Sequence, residues 1–420
     1  MTGTGVAPII ASPRPLTATG VSSTAATGLA PLPQPLSEMS LVLDPKPVAH
    51  FGRGTVTEVG RITAQSGVTH ALIVTDPFLA ESPVVAAVRG ALEGAGLTVT
   101  VYGGVTPNPT TTCVNEGSDL AASVGADGIV AVGGGSSMDA AKGIALGARN
   151  PQRGIDLDYR SAFAHPALPI VAVPTTAGTG AEVNAFGVIT DVASRRKFYV
   201  GHDSALARAA VLDPDLTVGL PAGATAATGM DALTHALESY LSVRANPYSD
   251  GIALQVIATV AEFLPRAVVD GSDIEARAEL LLASHMAGVG FSHTGLGLVH
   301  GIAHPLGGQF NIPHGLALCI VIEGVLRFNL AARTARLARV AFALGVGDTA
   351  AGVDDNAESA IRAIAALAVT VGMNGPLSRF GVTAGDLASL AADTLADAVT
   401  VNNPVQPTVA DVVAILTAAL

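Results

Sequence analysis

The chain has 420 residues, 49 % of them hydrophobic and 13 % charged, which excludes a disordered protein and provides for two or three domains with a large core. Its 22 Lys and Arg against 34 Asp and Glu leave a net charge of −12, a poor match for DNA, RNA or an anionic membrane surface. With no Trp and 4 % aromatic residues it also lacks a stacking platform for single strands.

Residues 1–40 read as a disordered extension. Positions 1–37 hold one charge, Arg14, no aromatic residue and six prolines, and such a composition cannot bury enough surface to fold. The charged start and apolar segment of a signal peptide are missing. From 41 to 220, short apolar runs alternate with helical spacing. Strands are predicted at 70–75, 97–102, 128–132 and 169–173, and helices at 84–93, 113–124 and 138–148. This alternation implies a parallel sheet with helices on its faces, its ligand outside the carboxyl ends of the strands. From 221 to 420 the spacing is helical, at 224–243, 248–264, 274–290, 334–344, 356–371 and 384–395. The fold class is α/β plus all-α: a Rossmann-like dinucleotide-binding domain at 41–220, then a helical metal-binding domain at 221–420. Apolar runs such as 129–132, 170–173 and 316–322 are too short to span a bilayer. The two cysteines, Cys113 and Cys319, lie far apart and read as core residues of a protein in a reducing cytoplasm.

Three segments of the first half carry nucleotide chemistry. The 128–132 strand runs into Gly133-Gly134-Gly135-Ser136-Ser137-Met138-Asp139 and then a helix. Bare backbone there lets a pyrophosphate approach, and helix N-terminal amides bind it. The same turn also fits a plain strand–helix connection. Pro174-Thr175-Thr176-Ala177-Gly178-Thr179-Gly180-Ala181-Glu182 follows another strand, and its hydroxyls suit a ribose or phosphate as well as an ordinary polar loop. Asp76 ends the first predicted strand. Its carboxylate would accept from ribose hydroxyls and repel a 2′-phosphate, favouring NAD, or would simply cap the next helix. Lys197, in Arg195-Arg196-Lys197, offers a charge to the cofactor or belongs to a solvated face.

The second half carries the metal signal. Asp231 and His235 stand four apart on one helical face, His300 and His304 repeat the spacing, and His314 follows. Asp231, His235, His300 and His314 make one oxygen and three nitrogen ligands, a set suited to Fe²⁺ or Zn²⁺ and too nitrogen-rich for Mg²⁺ or Ca²⁺. His285 and His293 read as structural or cleft-lining.

Taken together the chain resembles the iron-containing, group III alcohol dehydrogenases. The match rests on Gly133-Gly134-Gly135-Ser136-Ser137-Met138-Asp139-Ala140-Ala141-Lys142, the Pro174–Glu182 turn, Gly229-Met230-Asp231-Ala232-Leu233-Thr234-His235-Ala236, Gly295-Leu296-Gly297-Leu298-Val299-His300-Gly301-Ile302-Ala303-His304-Pro305-Leu306-Gly307 and Pro313-His314-Gly315, in family order over 41–420. The resemblance implies that Gly134, Ser136 and Ser137 hold the pyrophosphate, and Thr175, Thr176 and Thr179 the nucleotide. It implies that Asn108 and Lys197 contact the cofactor, and that Asp231, His235, His300 and His314 ligate the metal. His304 would lie beside the nicotinamide without ligating, placed to relay the hydroxyl proton. The resemblance further implies a homodimer or higher homo-oligomer. All four ligands lost by the related maleylacetate reductases are retained. Ala181 stands where serine is common and His293 where asparagine is common.

The expected activity is hydride exchange between a primary alcohol, or its aldehyde, and NAD or NADP in a cleft between the halves, a divalent cation acting as Lewis acid. A variant of this reading keeps the nicotinamide tightly bound and uses an external acceptor. A non-haem iron oxygenase fits Asp231 with two histidines but leaves both glycine-rich turns unexplained. A metal-dependent hydrolase needs a carboxylate base, with Glu238 the nearby candidate. A non-catalytic nucleotide- or metal-binding protein would show no reduced nicotinamide when given an alcohol.

Overall fold

The computed structural model describes residues 32–33, 39 and 47–420, apart from Arg195 and the side chain of Arg196. The expected extension at 1–40 otherwise lies outside the described residues. The first part runs β1 (Val48–Phe51), α1 (Val59–Gln65), β2 (His70–Val74), α2 (Pro77–Ala80), α3 (Pro83–Gly94), β3 (Thr98–Tyr102), α4 (Thr111–Val124), β4 (Gly128–Gly133), α5 (Gly135–Gly147), β5 (Ile170–Pro174), β6 (Phe186–Asp191), β7 (Arg196–Gly201) and β8 (Ala209–Leu212). Six strands form a parallel sheet in the order β1-β8-β5-β4-β2-β3. Every residue of β4 and β5 is buried, as covered parallel strands require. Alternate residues feed opposite cores. Leu72, Ile129 and Ala131 pack with Val114 and Ile144 on one face. Ile73, Val130 and Val132 pack with Val88 and Leu92 on the other. The strand order reverses between β2 and β4, so a ligand crevice opens at their carboxyl ends.

The second part is helical: α6 (Ala222–Leu241), α7 (Pro247–Val269), α8 (Ile274–Thr294), α9 (Leu298–Phe310), α10 (His314–Ala343), α11 (Val353–Thr370), α12 (Leu387–Ala396) and α13 (Val409–Ala418). A Rossmann-like parallel-sheet part followed by a large helical part is the architecture expected. Several details differ. β1 and β8 are strands of only four residues, too short to show a period. The antiparallel hairpin β6–β7 interrupts the strand–helix alternation. α9 and α13 were not expected as helices; α9 buries six successive residues, 298–303, so no polar face marks it. Only the end of α10 was expected as helix. Arg333 breaks its backbone at φ −136° and ψ 20°, with Nε donating to the Leu241 carbonyl at 2.9 Å, and the apolar run at 316–322 belongs to the segment before the break. Although no single apolar run reaches bilayer length, α7 and α10 are by length and composition long and apolar enough to cross a membrane, with 39 % and 50 % of their most apolar windows buried inside the protein.

Candidate active site

β4 delivers the chain into the glycine-rich turn. Gly133 sits at φ +142°, a region closed to most side chains, and a Cβ there would lie 2.4 Å from Ser137 Oγ. Gly134 is the N-cap of α5 and no side chain caps the helix start, while Gly135 and Ser136 in its first turn line the cleft. The second turn follows β5, and the Gly133 carbonyl accepts from the Thr175 amide at 3.0 Å, locking the two turns together. Asn108, in the left-handed region at φ 51°, accepts from Lys197 Nζ at 3.0 Å. Burial lowers the Lys197 pKa, and the nearby Asp139 and Asp397 carboxylates oppose that shift.

The metal-type residues come from three helices. Asp231 and His235 share one face of α6, His300 lies on α9, and His314 is the first residue of α10. Asn311 ends α9 in the left-handed conformation, turning the chain so that α10 starts close by. Asp231 Oδ1 faces His235 Nε2 at 3.4 Å, His300 Nε2 at 3.4 Å and His314 Nε2 at 3.6 Å. These separations exceed a good N–H···O bond, yet three nitrogens converge on one carboxylate oxygen. The ligand atoms of Asp231, His300 and His314 lie within 4.8 Å of one another. His235 is outside that trio, its ring stacked on His300 with centroids 4.7 Å apart.

A second layer orients the imidazoles. Glu238, buried on α6, faces His300 Nδ1 at 2.6 Å while accepting from the amides of Gly297 at 2.9 Å and Val299 at 2.6 Å. One carboxylate thus aims His300 and satisfies the start of α9. His235 Nδ1 lies 3.2 Å from the Gly178 carbonyl, which ties α6 to the second turn. Burial would lower the His300 pKa, but Glu238 and Asp231 outweigh it and raise it to about 9. Burial lowers His235 to about 4 and His314 below its ordinary value. Burial pushes Asp231 upward, and the surrounding imidazoles overcome this and hold it well below the usual carboxylate range. The donor set, three imidazole nitrogens and a carboxylate with fixed outer partners, fits Fe²⁺ or Zn²⁺.

His304 stands one turn beyond His300. Its Nδ1 lies 2.7 Å from Asp397 Oδ2, and its ring stacks on His314 with centroids 5.8 Å apart. Asp397 Oδ1 accepts from the Tyr199 hydroxyl at 3.1 Å. Burial raises Asp397, and the bond to His304 reverses that, so the carboxylate stays ionised.

Asn108, Ser136, Thr179, Lys197, Asp231, His235, His300, His304 and His314 all line one cleft of about 710 Å³. Gly134, Ser137, Thr175, Thr176 and Asp76 are not among its lining residues. Ser137 and Thr175 are buried beneath the turns at 2 % and 6 % exposure, and Thr176 packs over Gly134, 3.1 Å from where a Cβ would be. Asp76 Oδ1 accepts from the Phe78 and Leu79 amides, both at 2.9 Å, and so caps α2. His285 is structural, its Nδ1 lying 3.1 Å from the buried Glu182 carboxylate. His293 lines the cleft. Asp397, Tyr199 and Phe291 carry no local signal in the sequence, and Glu238 stands out there only as a candidate hydrolytic base. Glu238 had a signal, since it lies seven residues after Asp231 on the same helical face.

A parallel sheet with a glycine-rich turn at its switch point, joined to an imidazole–carboxylate centre in one cleft, defines a nucleotide-linked metalloenzyme fold. Residues 47–214 match the model of the iron-containing alcohol dehydrogenases, and residues 225–420 match that of the Fe-containing alcohol dehydrogenase family, C-terminal. An NAD-dependent methanol dehydrogenase of Bacillus methanolicus is 40 % identical over 374 residues, covering 89 % of this chain and 98 % of that one. A lactaldehyde reductase of Escherichia coli is 39 % identical over 367 residues, covering 87 % and 96 %. A crystal structure of a 1,3-propanediol oxidoreductase superposes with a TM-score of 0.87 at 37 % identity, covering 90 % of this chain and all of that one. The chain belongs to the iron-containing alcohol dehydrogenase family. It is an oxidoreductase that passes a hydride between an alcohol or aldehyde and a nicotinamide cofactor, and NAD and Fe²⁺ fit it.

Proposed function

We propose that this chain oxidises small primary alcohols with NAD, and reduces the corresponding aldehydes, at the cleft lined by Ser136, Lys197, Asp231 and His304. The single observation behind this reading is the convergence of three imidazole nitrogens on Asp231 Oδ1 within the cleft that the glycine-rich turn enters. Asp231, His235, His300 and His314 hold the cation. A divalent ion bound there supplies a Lewis acid. Gly134, Ser136 and Ser137 serve the pyrophosphate, Ser137 by shaping the turn beneath Gly133. Thr175, Thr176 and Thr179 serve the nucleotide, with Asn108 and Lys197 as a hydrogen-bonded pair beside it. His304 donates Nδ1–H to Asp397, which leaves Nε2 to take up the proton released from the substrate hydroxyl. Asp397 and Tyr199 fix that ring.

Relatives are named for methanol, lactaldehyde and 1,3-propanediol, and this supports a small substrate. The division at about residue 220 into a dinucleotide domain and a metal domain follows the change from strands to helices at Ala222. A homodimer or higher homo-oligomer is supported by β1, the edge strand of the sheet among the described residues, which exposes Val48 and Phe51. A reducing, cytoplasmic setting is supported by Cys113 and Cys319, both buried and unpaired. Asp76 favours NAD. Although its Oδ1 caps α2, the carboxylate still stands at the switch point, where a 2′-phosphate would meet negative charge. Reduced-nicotinamide absorbance with an alcohol tests this reading. The expected result is turnover with a higher kcat/KM for NAD than for NADP. Preference for NADP removes the role of Asp76, and no turnover with either contradicts the whole proposal.

A further inference from the structure

The cleft continues past the C-terminal end of α8, where Val289, Phe291, His293 and Leu296 line it. Phe291 lies against His235, ring centroids 4.6 Å apart, and marks the metal end of this wall. Residues two apart on a helix do not face each other, so His293 belongs to a different station. Its ring is set edge-on to Tyr248, centroids 5.3 Å apart at 85°. Val289, Leu296, Ala398 and Val399 make the surrounding lining largely apolar. No hydrogen-bond partner reaches the His293 ring nitrogens among the described residues.

We propose that His293 is a specificity-determining residue that hydrogen-bonds a second, neutral oxygen of the substrate, selecting diols or hydroxyaldehydes over monofunctional alcohols. The proposal rests on the alcohol dehydrogenase reading of the same cleft. Three observations direct it to a neutral oxygen. Burial and the nearby Arg244 charge lower the His293 pKa, so the ring is uncharged at neutral pH. A neutral imidazole is at once donor and acceptor, which matches a hydroxyl group. Lys197 is the one Lys or Arg among the described lining residues and is already bonded to Asn108, and Arg244, though close enough to His293 to act on its charge, does not line the cleft, so a carboxylate or phosphate on the substrate finds little to hold it. A site built to bond a substrate hydroxyl discriminates against the analogue lacking it, and in a partly open cleft one such bond is worth about tenfold.

The test compares kcat/KM for matched pairs, 1,3-propanediol with 1-propanol and 1,4-butanediol with 1-butanol, in the wild-type holoenzyme, His293→Leu and His293→Gln. The expected result is a diol preference in the wild type that falls about tenfold in His293→Leu and is partly kept in His293→Gln. Nicotinamide affinity, followed by fluorescence, should be the same in all three and reports on folding. A diol-to-alcohol ratio that is unchanged in His293→Leu, or absent from the wild type, overturns the proposal while leaving the alcohol dehydrogenase reading in place. No oxidation of any of the four alcohols by the wild type overturns both.

Discussion

Three donors converge on Glu238: the His300 ring and the amides of Gly297 and Val299. A metal-binding histidine depends on such an outer partner for its tautomer and aim, and removal of one weakens metal affinity by about 10–100-fold. Glu238→Ala should therefore bind Fe²⁺ about 10–100-fold more weakly than the parent in competition with a chelator. Parent-like affinity would show that the second layer is ornamental. This group was half legible in the sequence. Asp231, His235 and Glu238 repeat along one helical face, and the histidine pair on α9 has the same spacing. Asp397 left no such trace, because it meets His304 across 93 positions and a tertiary contact has no period. Asp76 carried two meanings in the sequence, and the structure makes the capping one visible.

At the scale of elements, the loop before β4 holds β2 in register. The Asp127 carboxylate accepts from the Thr69 amide at 2.9 Å, the Thr69 hydroxyl at 2.6 Å and the His70 amide at 2.8 Å. Burial alone would raise its pKa, but these bonds prevail and lower it. The folded-state pKa is then below the unfolded one. The stabilisation is fully present above the ordinary carboxylate pKa and is lost as pH falls through the folded value. Asp127→Asn, which keeps one acceptor oxygen at a partly solvated site, should cost about 0.5–1 kcal/mol at neutral pH and soften the acid loss of stability, read from denaturant midpoints at neutral and acid pH. An acid loss equal to the parent's would contradict this. The central strands were readable as short apolar runs bounded by turn residues, and most of the long helices as stretches of helical spacing. β1, β8, α9 and the first part of α10 were not, being too short or buried on more than one side for a period to emerge. The antiparallel hairpin β6–β7 carries Lys197 into the cleft, and nothing in a strand–helix alternation announces it.

At the scale of the whole molecule, the candidate metal set draws on α6, α9 and α10, while His235 also touches the turn after β5. An ion bound there would fasten three helices together and, by binding the native state alone, would stabilise it. The glycine-rich turn and the imidazole–carboxylate centre share one cleft, so nucleotide and ion would meet where hydride transfer takes place. The most direct measurement is an anaerobic titration of chelator-stripped protein with Fe²⁺, following bound iron and NAD reduction by an alcohol in the same samples. Activity should rise from near zero in proportion to bound iron and level off at one ion per chain. Full turnover in the iron-free protein, or iron bound without any gain in turnover, would contradict this.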